Sequence, residues 1–182
     1  MAHVLLRHRE IPDLHKLEVY RQHGGYEGLK KALSMTPAEV IDVVKASNLR
    51  GRGGAGFPTG VKWSFIPKNA SDTYVLINTD ESETGTFKDR ELTEHNPHQI
   101  IEGALIAAYA VNSRLVFNYI RGEYMDAAWA FEEALQACRA AGIIGRGIMG
   151  SDVDIEFYTH YGAGAYICGE ETALIESLAG NL

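Results

Sequence analysis

Three short, β-rich apolar runs, YVLIN at 74–78, RLVFNYI at 114–120 and DIEFYT at 154–159, are separated by longer segments of helical character. Parallel strands need a long crossover between them, most often a helix, so this alternation predicts an α/β fold. The expected architecture is a Rossmann-like parallel sheet flanked by helices, with an amino-terminal helical arm. One helix starts at Asn96-Pro97 and runs to about Val111, with Gly103, Ala104, Ala107 and Ala108 permitting close packing on the sheet. A second covers Tyr124 to Ala140, and another opens at Gly169-Glu170-Glu171. Upstream, a Gly24-Gly25-Tyr26 turn separates an extended arm from a short helix. Thr36-Pro37-Ala38-Glu39 then has the form of a capping box with proline in the first turn. That helix should carry Val40, Val43 and Val44 on its apolar face and stop near Ser47-Asn48. The division is an arm with helices over 1–48 and an α/β domain over 49–182.

Open α/β sheets bind ligands beyond the carboxyl ends of their strands, and three polar clusters are expected there. The segment from Arg50 to Trp63 (RGRGGAGFPTGVKW) holds five glycines, two arginines, a lysine and two aromatics. Glycine lets backbone approach a ligand closely, Arg and Lys can hold a phosphate, and Phe57 and Trp63 offer faces for a planar ring. It reads as a nucleotide or flavin cradle, against the alternative of a flexible surface loop. The second cluster, Thr79 to Gly85, follows the first strand, with Asn78, Asp80, Glu81 and Glu83 suited to accept from ribose hydroxyls. A solvated acidic loop with helix-capping residues is the competing reading; a metal site is a third, disfavoured because no histidine lies among the carboxylates. The third, Gly162 to Glu171, places Gly-x-Gly between a strand and a helix, a pattern suited to phosphate. Glu170 and Glu171 would compete with an anion there. They suit acceptance from ribityl, ribose or amide groups, or the ordinary role of acids at a helix start.

Net charge is −7, which leaves no basic field for nucleic acid. No apolar run approaches the ~20 residues of a membrane span. The longest, Ile100 to Val111, is interrupted by Glu102. The opening MAHVLLR lacks a signal-peptide core, so the chain reads as cytosolic. Cys138 and Cys168, thirty residues apart, form no CxxC pair and no self-contained metal or iron–sulfur site. Cys138 is expected to be a small buried residue, and a disulfide between the two is not expected. The seven histidines lack ligand spacing, with His95 and His98 read as surface or capping residues. No Gly-x-Ser-x-Gly elbow suggests hydrolase chemistry.

These clusters, in this order, resemble the NADH-oxidising flavoprotein subunit of respiratory complex I (NADH:quinone oxidoreductase). The segments that carry the likeness are LRGRGGAGFPTGVKWSF, YVLINTDESETGTFKDR, NPHQIIEGALIAAYA and GAGAYICGEETALIESLAG, led by GGYEGLKKAL and MTPAEVIDVVKASNLRGRGG. The resemblance implies an FMN- and NADH-binding domain over 49–182, incomplete at its carboxyl end, so that the chain would be a fragment. It implies hydride transfer from NADH to FMN, then single electrons passed to iron–sulfur clusters, with a [4Fe–4S] cluster only in the missing carboxyl-terminal region. Carried over by position, Gly51, Arg52, Gly53, Lys62, Asn78, Asp80, Glu81, Gly169, Glu170 and Glu171 fall on the FMN side. Gly54, Ala55, Gly56, Phe57, Phe65, Glu83, Tyr166 and again Glu171 fall on the NADH side. No residue is required as general acid or base, Glu171 being the nearest candidate, because the cofactors carry the chemistry. Glu83 would accept from the adenosine ribose and disfavour a 2′-phosphate, and Lys62 would offset charge on the flavin or its phosphate. Implied partners are other subunits of the peripheral arm, above all a [2Fe–2S] thioredoxin-like subunit, on the cytoplasmic side of a bacterial inner membrane. A diaphorase subunit of an NAD-linked hydrogenase or formate dehydrogenase, and a non-catalytic nucleotide-binding or assembly module, are the alternatives.

Overall fold

A computed structural model describes residues 5–52, 54–67, 70 and 72–181. The strands are β1 (Tyr74–Thr79), β2 (Leu115–Ile120) and β3 (Glu156–Tyr161), all parallel in the order β1-β2-β3. The helices are α1 (Leu17–Gln22), α2 (Glu27–Leu33), α3 (Pro37–Ala46), α4 (Thr59–Ser64), α5 (Lys88–His95), α6 (Pro97–Ala110), α7 (Met125–Ala140) and α8 (Glu171–Leu178). The expected parallel α/β sheet is therefore present, with α5 and α6 in one crossover and α7 in the next. Strand β3 begins two residues later than the apolar run suggests. Ile155 is held in an isolated antiparallel bridge to Gly145, and Asp154 accepts from the Gly147 N–H at 2.9 Å, so neither joins the parallel ladder.

Val116 and Phe157, register neighbours on one sheet face, pack against Ile101 and Leu105 of α6 and Phe131 and Leu135 of α7. Leu17 of α1, Leu29 of α2 and Tyr26, which precedes α2, join the same core. On the opposite face, Leu174 and Leu178 of α8 pack near Tyr119, Leu76 and Cys168, while Tyr74 and Tyr158 stay about half exposed.

The capping box forms at α3. Thr36 Oγ1 accepts from Glu39 N at 3.3 Å, and Glu39 Oε2 accepts from Thr36 N at 2.7 Å. The inward residues of α3 are Val40 and Ile41, whereas Val43 is 51% exposed, so the valine face is rotated from the expected one. Asn96 occupies the start of α6 without a capping bond; its amide donates to Gln99 Oε1 at 2.7 Å instead.

His98 corrects the expectation of a surface or capping histidine. It is fully buried, with Nδ1 2.8 Å from the Tyr26 hydroxyl, which itself lies 3.0 Å from Cys138 Sγ. Burial pulls its imidazole down to about 4 and raises the Cys138 thiol to about 11, so both are neutral near neutral pH. Glu102 interrupts the apolar run for a reason that lies outside its own helix. Its carboxylate accepts from the Tyr20 hydroxyl at 2.6 Å, Tyr26 N at 2.9 Å and Leu29 N at 3.0 Å, and so caps α2 from α6.

Candidate functional site

A cleft of about 830 Å³ opens at the carboxyl end of the sheet. It draws on all three segments: Arg52 from the glycine-rich stretch, Asn78 near the end of β1 with Asp80, Glu81 and Glu83 after it, and Tyr166, Gly169 and Glu170 after β3. A neighbouring hollow of about 560 Å³ shares Asn78, Gly169 and Glu170 and adds Lys62 and Glu171. The segments after β1 and β3 share this wall because parallel strands deliver their following loops to the same edge, and Arg52 reaches it from the stretch that precedes β1.

The floor is tightly fitted. Asn78 Nδ2 donates to the Gly169 carbonyl at 2.7 Å, and Asn78 Oδ1 accepts from Asp80 N at 3.2 Å. A Cβ at Gly169 would meet the Asp80 carbonyl at 3.2 Å, so glycine is what lets the two loops close together. The Asp80 side chain is nearly buried, and desolvation pushes its carboxyl up, partly offset by the Ser82 hydroxyl and Arg121. Glu81 turns inward. Its carboxylate accepts from Asp89 N at 2.9 Å and Arg90 N at 3.2 Å, capping α5, with the Tyr124 hydroxyl 3.3 Å away. A ligand in the cleft therefore meets Glu81 mainly through its surroundings, because the carboxylate is already occupied.

The third segment departs from the Gly-x-Gly reading. A 3₁₀ turn, Tyr166–Gly169, separates the glycines from α8, and Glu170 caps that helix by accepting from Thr172 N at 3.1 Å and Ala173 N at 3.0 Å. These bonds, with the Thr172 hydroxyl foremost, hold its carboxyl below the usual range. An anion at this helix start would face a carboxylate already in place. Glu171, exposed on the first turn of α8, is free of that duty.

The glycine-rich stretch folds back on itself. Gly51 N donates to the Phe57 carbonyl at 2.9 Å, Thr59 N to the Leu49 carbonyl at 2.8 Å, and Gly56 turns with φ +66°. Gly60 serves packing: a Cβ there would sit 2.6 Å from the Lys45 backbone nitrogen. Helix α4 sends Lys62 toward the smaller hollow and Trp63 into a separate cluster with Ala32, Val40 and Ala110. Trp63 is thus a packing residue. Phe57 and Phe65 are 49% and 68% exposed, 6.0 Å apart between ring centres, and line neither hollow. Gly51, Gly54, Ala55 and Gly56 also lie off both linings, and Gly53 lies outside the described residues.

Sequence reasoning passed over Thr86, Lys88, Asp89 and Leu92, which form the cleft wall at and before α5. The charged run Lys88-Asp89-Arg90 directly after the acidic cluster was the available signal. No group of three or more His, Cys, Asp or Glu among the described residues is placed to hold a metal ion.

Comparison with known proteins decides the family. The model described as the Nuo51 FMN-binding domain matches residues 44–181. The chain belongs to the Nuo51 FMN-binding domain family. An NADH-quinone oxidoreductase subunit of Rhizobium meliloti (strain 1021) is 53% identical over 97% of this chain and 42% of its own length. The corresponding NADH-quinone oxidoreductase subunit of Aquifex aeolicus (strain VF5) is 50% identical over the same shares, 97% and 42%. The chain thus spans about two fifths of the length of these curated relatives. Among solved structures, an NAD+-reducing [NiFe]-hydrogenase in the H2-reduced state is similar with TM-score 0.70 and 36% identity, over 82% of this chain and 26% of that one. The Nuo51 match begins within α3 and takes in all three strands and the three segments that meet at the cleft.

Proposed function

We propose that the chain forms the flavin- and NADH-binding part of an NADH:quinone oxidoreductase, where NADH is oxidised and electrons leave toward quinone. The observation that carries this reading is the convergence of the three family segments on one cleft at the carboxyl edge of a parallel sheet. The residues present fit FMN. Arg52 and Lys62 line the two hollows and form no ion pair among the described residues, which leaves cations for a phosphate. The close approach at Gly169 and the Asn78 amide give a floor on which a planar ring and polyol chain can rest.

The chemistry that bound FMN would supply is hydride acceptance and single-electron transfer. The chain's own residues bind and orient. Lys62 offsets anionic charge, Asn78 and Asp80 fix the floor, and Glu83 accepts from the adenosine ribose hydroxyls. No described residue is needed as a general acid or base. Phe57 and Phe65, exposed side by side off the two hollows, offer faces to a part of the dinucleotide that extends beyond the cleft.

The electron acceptor would be an adjacent [2Fe–2S] thioredoxin-like subunit, and the assembly would sit peripherally on the cytoplasmic side of the membrane. No helix among the described residues is long and apolar enough to cross a membrane. The division into an arm over 1–48 and a cofactor domain over 49–182 belongs to the same reading. A diaphorase role is the second reading, supported by the hydrogenase neighbour. Relatives named as NADH-quinone oxidoreductase subunits are nonetheless 50–54% identical, against 36% for that structure.

The test is anaerobic addition of NADH, then of NADPH, to the FMN-loaded chain. Loss of flavin absorbance with NADH and little with NADPH is expected. Bound flavin left oxidised by NADH would favour a non-catalytic binding module.

A further inference from the structure

The loop after β1 and the loop after β3 face each other across the cleft. Near its base they are joined by Asn78 and Gly169; farther along, the Tyr166 hydroxyl donates to Glu83 Oε2. Both ties are exposed to water, and they differ in what surrounds them. The Asn78 bond sits beside nearly buried Asp80 and a glycine contact that leaves little room for a side chain. The Tyr166–Glu83 bond joins two exposed side chains, with Tyr166 64% and its neighbour Ile167 61% exposed. Water competes for both partners, so this bond is open to exchange. Gly164, at φ +89°, gives the loop a flexible point just before Tyr166, while Gly169 anchors its far end. The Glu83 carboxylate, through its hydrogen bond first and its charge second, also raises the Tyr166 phenol above its ordinary range.

We infer that Tyr166 is a latch on Glu83: its hydroxyl occupies the carboxylate oxygen that a dinucleotide's ribose diol would take, and binding exchanges one hydroxyl donor for another. The inference rests on the reading of Glu83 as the ribose acceptor. It adds that Tyr166 is a positioning residue that acts through Glu83. A ribose diol can replace the phenol donor for donor. A 2′-phosphate brings negative charge to the carboxylate and no equivalent donor, so the latch stays shut against it.

NAD+ is the probe, titrated calorimetrically into the FMN-supplemented chain, its Tyr166→Phe and Glu83→Gln variants, and the double variant. Tyr166→Phe should tighten NAD+ by about three- to tenfold, the worth of one displaced hydrogen bond. In the Glu83→Gln background the same change should do nothing. Weaker or unchanged NAD+ binding in Tyr166→Phe overturns the latch, as does an equal effect in both backgrounds. Glu83→Gln that leaves NAD+ affinity unchanged, or a parent chain that does not bind NAD+, overturns the ribose reading and the latch with it. A ligand-free measurement separates the two. By NMR of labelled tyrosine, the Tyr166 phenol should titrate lower in Glu83→Gln than in the parent, and identical titration removes the latch whatever Glu83 does for ribose.

Discussion

Two adjacent acids show how little a carboxylate's place in a motif says about its duty. Asp80 and Glu81 both follow β1 and both are nearly buried, yet Asp80 contributes to the floor of the cleft while Glu81 caps α5. Replacing Glu81 by Ala leaves the Asp89 and Arg90 N–H groups at the start of α5 without their acceptor. The expected loss is about 2 kcal/mol of stability, measured by urea unfolding. Glu81→Gln, which keeps one acceptor oxygen, should lose less. Equal stability of Glu81→Ala and the parent would mean that the capping bonds contribute nothing. The acidic cluster in the sequence could not separate these duties, because the helix that Glu81 caps has no strong local signal of its own.

At the scale of elements, the strands were legible as short β-rich apolar runs, and α6 and α7 as the long connections that parallel strands need between them. Helices α4 and α5 were not. They have six and eight residues, too short to be stable alone, and they form because Lys45 packs on Gly60 and Glu81 caps α5. The 3₁₀ turn before α8 likewise depends on the Asn78–Gly169 tie between distant loops. His98 was illegible for a similar reason: its partners, Tyr26 and Cys138, lie 72 and 40 residues away. That placement has a measurable consequence. His98 titrates near 4 when folded, below the ordinary 6.5, chiefly through desolvation, with the His15 backbone acting the other way. Between those two values the unfolded chain binds a proton that the folded chain does not. Its contribution is therefore complete above 6.5, falls as pH drops through the window, and levels off below about 4. Moving from near neutrality to about pH 5 should cost about 2 kcal/mol of stability from this residue. Denaturant titrations of the parent and His98→Gln should show the steeper pH slope in the parent. Parallel slopes would mean that His98 is not held neutral by the core.

For the whole molecule, the sequence located the three site segments but not how each is used. The convergence of the segments after β1 and β3 follows from parallel topology, which alternating strand and helix patterns reveal without any contact being known, whereas the glycine-rich stretch precedes the first strand and joins them by its own fold. The glycine-rich stretch proved the most divided. Arg52 and Lys62 reach the hollows, Gly60 and Trp63 serve packing, and Phe57 and Phe65 stay outside. The composition that marked it as a cradle does not distinguish these roles, because packing glycines and ligand-facing glycines look alike until the neighbouring helix is in place. The central claim is that these segments together make one flavin site. Its most direct test is an FMN titration of the chain by flavin fluorescence, repeated with Lys62→Ala. Saturable binding of one FMN per chain, weakened about tenfold or more in the variant by loss of a charge-assisted contact, is the predicted result. No saturable binding, or identical curves for the two proteins, would contradict the claim.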